Sequence, residues 1–154
     1  MGLASLEAKK QLDLQSIPVP SRPRDDFPVL PEDPTDLSDS ELMTLFRQLT
    51  RWSEYLGVQK VMAEVDERYA EAALDKGKIV LRVNLKSNQG RDDAAENEEL
   101  WDLHDNYQSA MAYRKVMEMT YENAERNAAL LSRELTRRVN RSARDGRDDR
   151  WGGA

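Results

Sequence analysis

Cysteine is missing from these 154 residues. That excludes disulfides, thiol nucleophiles and thiolate metal sites, and makes an intracellular setting the expectation. Histidine occurs once, at His104, so neither an HExxH metal motif nor a Cys–His pair can be assembled. A solvated or partner-facing imidazole is the expected role. The seven glycines form no GxxxxGK[ST], GxGxxG or GxSxG sequence. No enzyme, catalytic residue, cofactor or resident metal is therefore expected. No apolar run approaches the roughly 18 residues that a membrane helix needs, and mean hydropathy is −0.80. The first residues lack the apolar stretch of a secretory leader, and Leu6 stands where an N-myristoylation motif has Ser or Thr. Proline is absent outside 17–36, where all six cluster.

The sequence is rich in helical periodicity. Leu100, Leu103, Tyr107, Ala110, Arg114, Met117, Tyr121, Ala124, Ala128, Leu131 and Leu135 follow each other at strict 3,4 spacing. That spacing sets eleven side chains on one seam of a slightly supercoiled helix. Only Arg114 breaks the apolar run. It is expected to specify register, paired with a carboxylate such as Asp66, because an unpaired buried guanidinium is costly. This helix is predicted to begin within the acidic stretch 92–99 and to run to about Asn140.

An earlier helix carries a full set of start signals. Ser38 and Glu41 form an S-x-x-E capping box, and Leu37 and Leu42 occupy the staple positions. Leu42, Leu45, Leu49, Trp52 and Leu56 continue at 3,4 spacing. The helix is predicted over about 38–76, roughly 58 Å at 1.5 Å per residue, with Gly77 as its stop. Ile79, Leu81, Val83 and Leu85 then alternate with Val80, Arg82, Asn84 and Lys86, which reads as a short extended β segment at 78–86, with continued helix as the competing reading. Ser87 to Gly90 reads as a turn.

The prolines of 17–36 make that stretch extended. Within it, Ile17, Val19, Phe27, Val29 and Leu30 could dock in a groove of a neighbour. Residues 1–16 place Leu3, Leu6, Leu12 and Leu14 among polar residues, a weak pattern that allows a short helix. The expected organisation is a proline-rich extended arm over 1–36, a helical hairpin over 37–141 and a flexible basic tail over 142–154, all-α in the main. Two helices leave much of a broad apolar stripe uncovered, so self-association is expected through a seam that includes Leu100, Leu103, Tyr107, Met117, Tyr121, Leu131 and Leu135.

Charge is unevenly placed. Seven acids and no Lys or Arg lie between Asp92 and Asp105, whereas Leu130 to Arg147 holds six arginines against Glu134 and Asp145. Arg126, Arg133, Arg137, Arg138, Arg141 and Arg144 are the candidate phosphate contacts, since guanidinium forks suit phosphate oxygens. A solvated charged face is the plain alternative. Glu64, Glu67, Glu71 and Asp75 share one helix face. Without Glu-x-x-His motifs they suit pairing with arginines of another helix better than a di-metal site.

The segments Leu37-Ser38-Asp39-Ser40-Glu41-Leu42-Met43 and Thr50-Arg51-Trp52, with Leu131-Ser132-Arg133-Glu134-Leu135-Thr136-Arg137-Arg138 far downstream, resemble small helical proteins of tailed actinobacteriophages. Over about 40–140 the layout is also similar to UvsY-type phage recombination mediators. Both share a helix with an early Trp, a charged middle and a long helix with a basic end. The resemblance implies a non-enzymatic oligomer in the host cytoplasm, or in the virion, that contacts single-stranded DNA or another phage protein and no membrane. The acidic balance and the proline arm fit equally a virion assembly protein whose arm docks on neighbouring subunits.

Overall fold

The computed structural model describes residues 2–87 and 93–151, and it is all-α. Helix α1 spans Leu3–Leu14, a 3-10 turn spans Pro34–Asp36, α2 spans Asp39–Ser87 and α3 spans Asp93–Trp151. The described residues contain no strand, and none of the helices is long and apolar enough to cross a membrane.

The chain divides into two compact units. The first combines Met1–Pro20 with Leu56–Met119. Here α2 and α3 pack antiparallel, since Lys60 meets Glu118, Glu67 meets Arg114 and Gly77 faces Leu103. The second combines Ser21–Tyr55 with Thr120–Ala154. Its core is Leu42, Leu49 and Leu131, all fully buried, with Leu30, Leu37, Leu45, Phe46, Ala128 and Leu135 packed around them. Every seam residue from Leu100 to Leu135 is buried or half-buried, as the 3,4 spacing requires.

The start of α2 follows its sequence signals. Glu41 N–H donates to Ser38 Oγ (3.3 Å), while Ser38 N–H donates to the Glu41 carboxylate (2.8 Å). This is the reciprocal capping box, and its hydrogen bonds hold the Glu41 carboxyl below its usual range.

The β segment expected at 78–86 is helical, and Gly77 does not stop α2. The physical reason lies in register. Leu42, Leu49, Leu56, Ala63, Ala70 and Gly77 recur every seven residues, and this ladder faces α3. A Cβ on Gly77 would lie 2.7 Å from Leu103 Cδ1, so glycine here serves close helix approach and not chain reversal. A lone strand would also leave its backbone donors and acceptors unpaired, whereas the helix satisfies them internally. The turn expected at 87–90 lies largely outside the described residues.

Two further boundaries move. α3 passes Asn140 and continues to Trp151, so the tail expected to be flexible from 142 is helical through 151. Residues 152–154 lie outside the described part. The arm is not extended throughout. α1 occupies 3–14, and its N-terminus is held by Asp66 of α2. Gly2 N–H donates to Asp66 Oδ2 (2.6 Å), and Ser5 N–H to Oδ1 (3.1 Å). Ser5 Oγ donates to Oδ2 (2.9 Å), and Ser5 is fully buried. A carboxylate at a helix N-terminus satisfies orphan donors and the positive dipole end together.

Candidate nucleic-acid interface

The α3 arginines separate by helix face. At about 100° per residue, Arg126, Arg133, Arg137 and Arg144 share the side turned away from the seam, Arg141 lies on the flank next to them, and all five are exposed. Arg138 follows Leu131 and Leu135 at 3,4 spacing and lies on the seam side.

Arg138 is fully engaged by its own unit. Its Nη1 donates to the Leu37 carbonyl (2.7 Å) and to Asp39 Oδ1 (2.7 Å), and its Nη2 to the Thr35 carbonyl (2.9 Å). Its Nε donates to Glu134 (2.9 Å). Asp39 and Glu134 raise its pKa above the ordinary guanidinium range. Arg138 thus pins the 3-10 turn to α3 and is removed from the set of phosphate contacts. Its forked donors suit these four backbone and carboxylate oxygens better than a mobile anion.

Arg137 occupies a middle position. Its Nε and Nη2 donate to the two Glu134 oxygens at 2.7 and 2.8 Å, yet more than half of its side chain is exposed. Hydrogen bonds from Arg137, then Arg138, pull the Glu134 carboxyl down to about 2. Arg126 makes one long contact, 3.4 Å to Asn123 Oδ1. Among the described residues, nothing pairs with Arg133, Arg141 or Arg144. These three, with Arg137 between them, present cations at intervals of about 4.5–6 Å along the helix. They are already hydrated, so meeting an anion requires no burial of charge. The side chains of Arg147 and Arg150 lie outside the described residues. Tyr121, the aromatic residue nearest to these arginines in the sequence whose side chain is described, lies on the seam side and donates to Glu125.

The seam expected to join subunits is used inside the chain. Leu131 completes the core of the second unit. Leu100 and Leu103 line a cavity of about 570 Å3 with Tyr69, Gly77 and Val80, and Tyr107, Met117, Tyr121 and Leu135 are half-buried. The α2 ladder supplies the facing side chains that a second copy was expected to supply. Arg114 is paired, but not with Asp66, which is committed to α1. Arg114 Nε meets Glu67, and its Nη1 donates to Glu118 (2.7 Å). Lys60 lies 3.5 Å from the other Glu118 oxygen. This cross-helix polar layer was readable in part, because Lys60 and Glu67 sit seven apart at inward positions of α2.

Glu67 pairs with Arg114 and Asp75 with Lys78 (3.1 Å), and the described residues contain no group of three or more side chains that could hold a metal ion. His104 is half-buried, with Nδ1 3.7 Å from Asp105 and its ring edge-on to Trp101. The arm residues expected to reach a neighbour partly pack on their own unit. Phe27 meets Trp52 edge-on at 5.5 Å, Arg22 lies over the same indole at 5.8 Å and Leu30 joins the core. Val29 and Ile17 stay exposed. Neither a family model, nor a curated protein, nor a solved structure matches the chain.

Proposed function

We propose that this chain is a non-enzymatic binding protein whose arginine face on the last third of α3 holds the phosphates of a nucleic acid. Its role would be that of an accessory factor in phage recombination or packaging. The observation that carries the reading is the exposed row of Arg133, Arg137, Arg141 and Arg144 on one face, three of them without a partner among the described residues. Salt-dependent, sequence-tolerant binding is what such a row supports.

Fluorescence anisotropy with labelled single-stranded DNA tests it. Replacing Arg133, Arg141 and Arg144 by Gln should weaken binding. It should also flatten the plot of log K against log salt by roughly 0.7 for each lost phosphate contact. Arg138→Gln reports the integrity of the turn and is not a binding variant. Absence of binding at low salt rejects the proposal.

A second reading, an assembly protein that docks through its arm, is favoured by one feature: the arm leaves the apolar side chains of Ile17 and Val29 open to solvent, Val29 at 84%. Val29→Asp with Ile17→Asp is the appropriate test, because deleting the arm would also strip Phe27 and Leu30 from the core. Co-assembly that persists in this double variant rejects that reading.

A further inference from the structure

α2 is apolar on two opposite sides. One side is the ladder that packs on α3. On the other, Val61, Val65, Tyr69, Ala72, Ile79 and Val83 recur at helical spacing, and midway along it Tyr69, Ala72 and Lys76 also border the cavity that Leu100 and Leu103 of α3 line. Four of these are large and open to solvent, with Val61, Tyr69, Ile79 and Val83 between 55% and 61% exposed. Lys76 is the one charged residue on this stripe. Within its unit α2 already meets α3 through Lys60, Glu67 and Gly77 and the N-terminus of α1 through Asp66, yet the large members of this stripe stay open to solvent. The stripe extends over 61–83, about 33 Å of helix.

We infer that a second copy of this chain docks on the outer face of α2, antiparallel, about a two-fold axis at Ala72. The stripe is complementary to itself in that arrangement. Val61 falls opposite Val83 of the second copy, Val65 opposite Ile79, and Ala72 opposite Ala72, where small side chains let the helices approach. Tyr69 falls opposite Lys76, so the ring face receives the ammonium group. The flank agrees. Glu64, Arg68, Asp75 and Arg82 lie along one edge of the stripe, and reversing the helix sets Glu64 against Arg82 and Arg68 against Asp75. Glu64, Arg68 and Arg82 form no ion pair among the described residues. Asp75 has only its exposed contact with Lys78, which it can exchange at little cost. A parallel pairing would instead place Lys76 against itself within the apolar stripe. The two-fold relation makes every such contact occur twice, except that of Ala72 with itself on the axis. This surface is separate from the arginine face, and the inference stands whether or not that face binds nucleic acid.

The experiment uses the full chain. Sedimentation equilibrium at micromolar concentration should give a dimer. Ile79→Glu should give a monomer with unchanged helical circular dichroism, since that side chain is already exposed within one chain. Glu64→Arg alone should weaken the dimer about tenfold, from two reversed pairs per interface, and Glu64→Arg with Arg82→Glu should restore it. The native chain has no cysteine, so single thiols report register. Ala72→Cys should cross-link to itself on mild oxidation, Val61→Cys should not, and a mixture of Val61→Cys with Val83→Cys chains should. A wild-type monomer up to 100 times that concentration overturns the inference, as does a dimer unchanged by Ile79→Glu. Self-cross-linking of Val61→Cys overturns the antiparallel register.

Discussion

Leu130 and Leu131 are neighbours with identical chemistry and opposite environments, which makes them a sharp test of the seam. Leu131 is fully buried against Leu42 and Leu49, while Leu130 is 45% exposed. Truncating Leu131 to Ala removes three carbons from the core. At about 0.8 kcal/mol for each, the transfer loss is roughly 2.4 kcal/mol. The cavity left behind adds to this, and the sum falls at about 3 kcal/mol, within the range for buried leucines. For a chain of this length that lowers the melting temperature by roughly 6–12 °C. Leu130→Ala loses little burial and gains slightly in helix propensity, so its effect should stay within about 0.5 kcal/mol. Urea denaturation followed by circular dichroism measures both, and an unchanged slope confirms that the midpoint shift reports stability. Equal losses for the two variants, or a larger loss for Leu130→Ala, would refute the assigned face of α3. The antiparallel register of the second unit would fall with it.

Asp66→Asn should loosen α1 alone, by about 1–2 kcal/mol as for loss of a helix cap. Hydrogen exchange should then show faster exchange in 3–14 and no change in α3. Glu134 has its folded pKa depressed from 4.5 to about 2 by Arg137 and Arg138. The stability it contributes is fully present above pH 4.5 and is lost as pH falls from there towards 2. Glu134→Gln should flatten the acid-denaturation profile across that window, and an unaltered profile counts against the pairing. Gly77→Ala should stabilise the chain by less than about 0.5 kcal/mol, because moving Leu103 offsets most of the helix-propensity gain of about 1 kcal/mol. Cδ1 of Leu103 is the free end of a side chain that borders a cavity. A thermal melt that falls would show that α3 cannot give way there.

Much of the helical framework is readable because short-range rules govern it. The capping box at Ser38 and Glu41 depends on four consecutive residues. The α3 seam depends on a repeat that no other secondary structure shares. What escapes is set by partners distant in sequence. Gly77 resembles a helix stop when read with its neighbours Lys76 and Lys78. It is legible as a helix residue only as the sixth member of the Leu42–Gly77 ladder, and that ladder matters because Leu103 faces it. The alternation from Ile79 to Leu85 resembles a strand for the same reason, since β-branched residues outside the seam of a helix also alternate with polar ones. Asp66 could be matched to Arg114 by position, but α1 claims its carboxylate through three hydrogen bonds. Nothing local in residues 2–5 announces that claim.

The arginines of α3 show how one periodicity assigns two roles. Composition groups them as a single basic cluster, but the 3,4 seam divides them. Arg114 and Arg138 both occupy seam positions, and each meets an oxygen-rich surface there: Glu67 and Glu118 for the first, the carbonyls of Thr35 and Leu37 with Asp39 and Glu134 for the second. The seam therefore does not end at Leu135. It changes chemistry there, because α2 begins at Asp39 and the surface opposite Arg138 consists of backbone oxygens from the preceding turn. An arginine that satisfies such oxygens cannot also serve an external phosphate without unpinning the turn. Arginines off the seam are under no such constraint, and Arg133, Arg141 and Arg144 remain hydrated along one exposed face. The charge available to a polyanion is thus set by helical phase, and neutralising on-seam and off-seam arginines should give separable losses, of stability in the first case and of salt-dependent binding in the second.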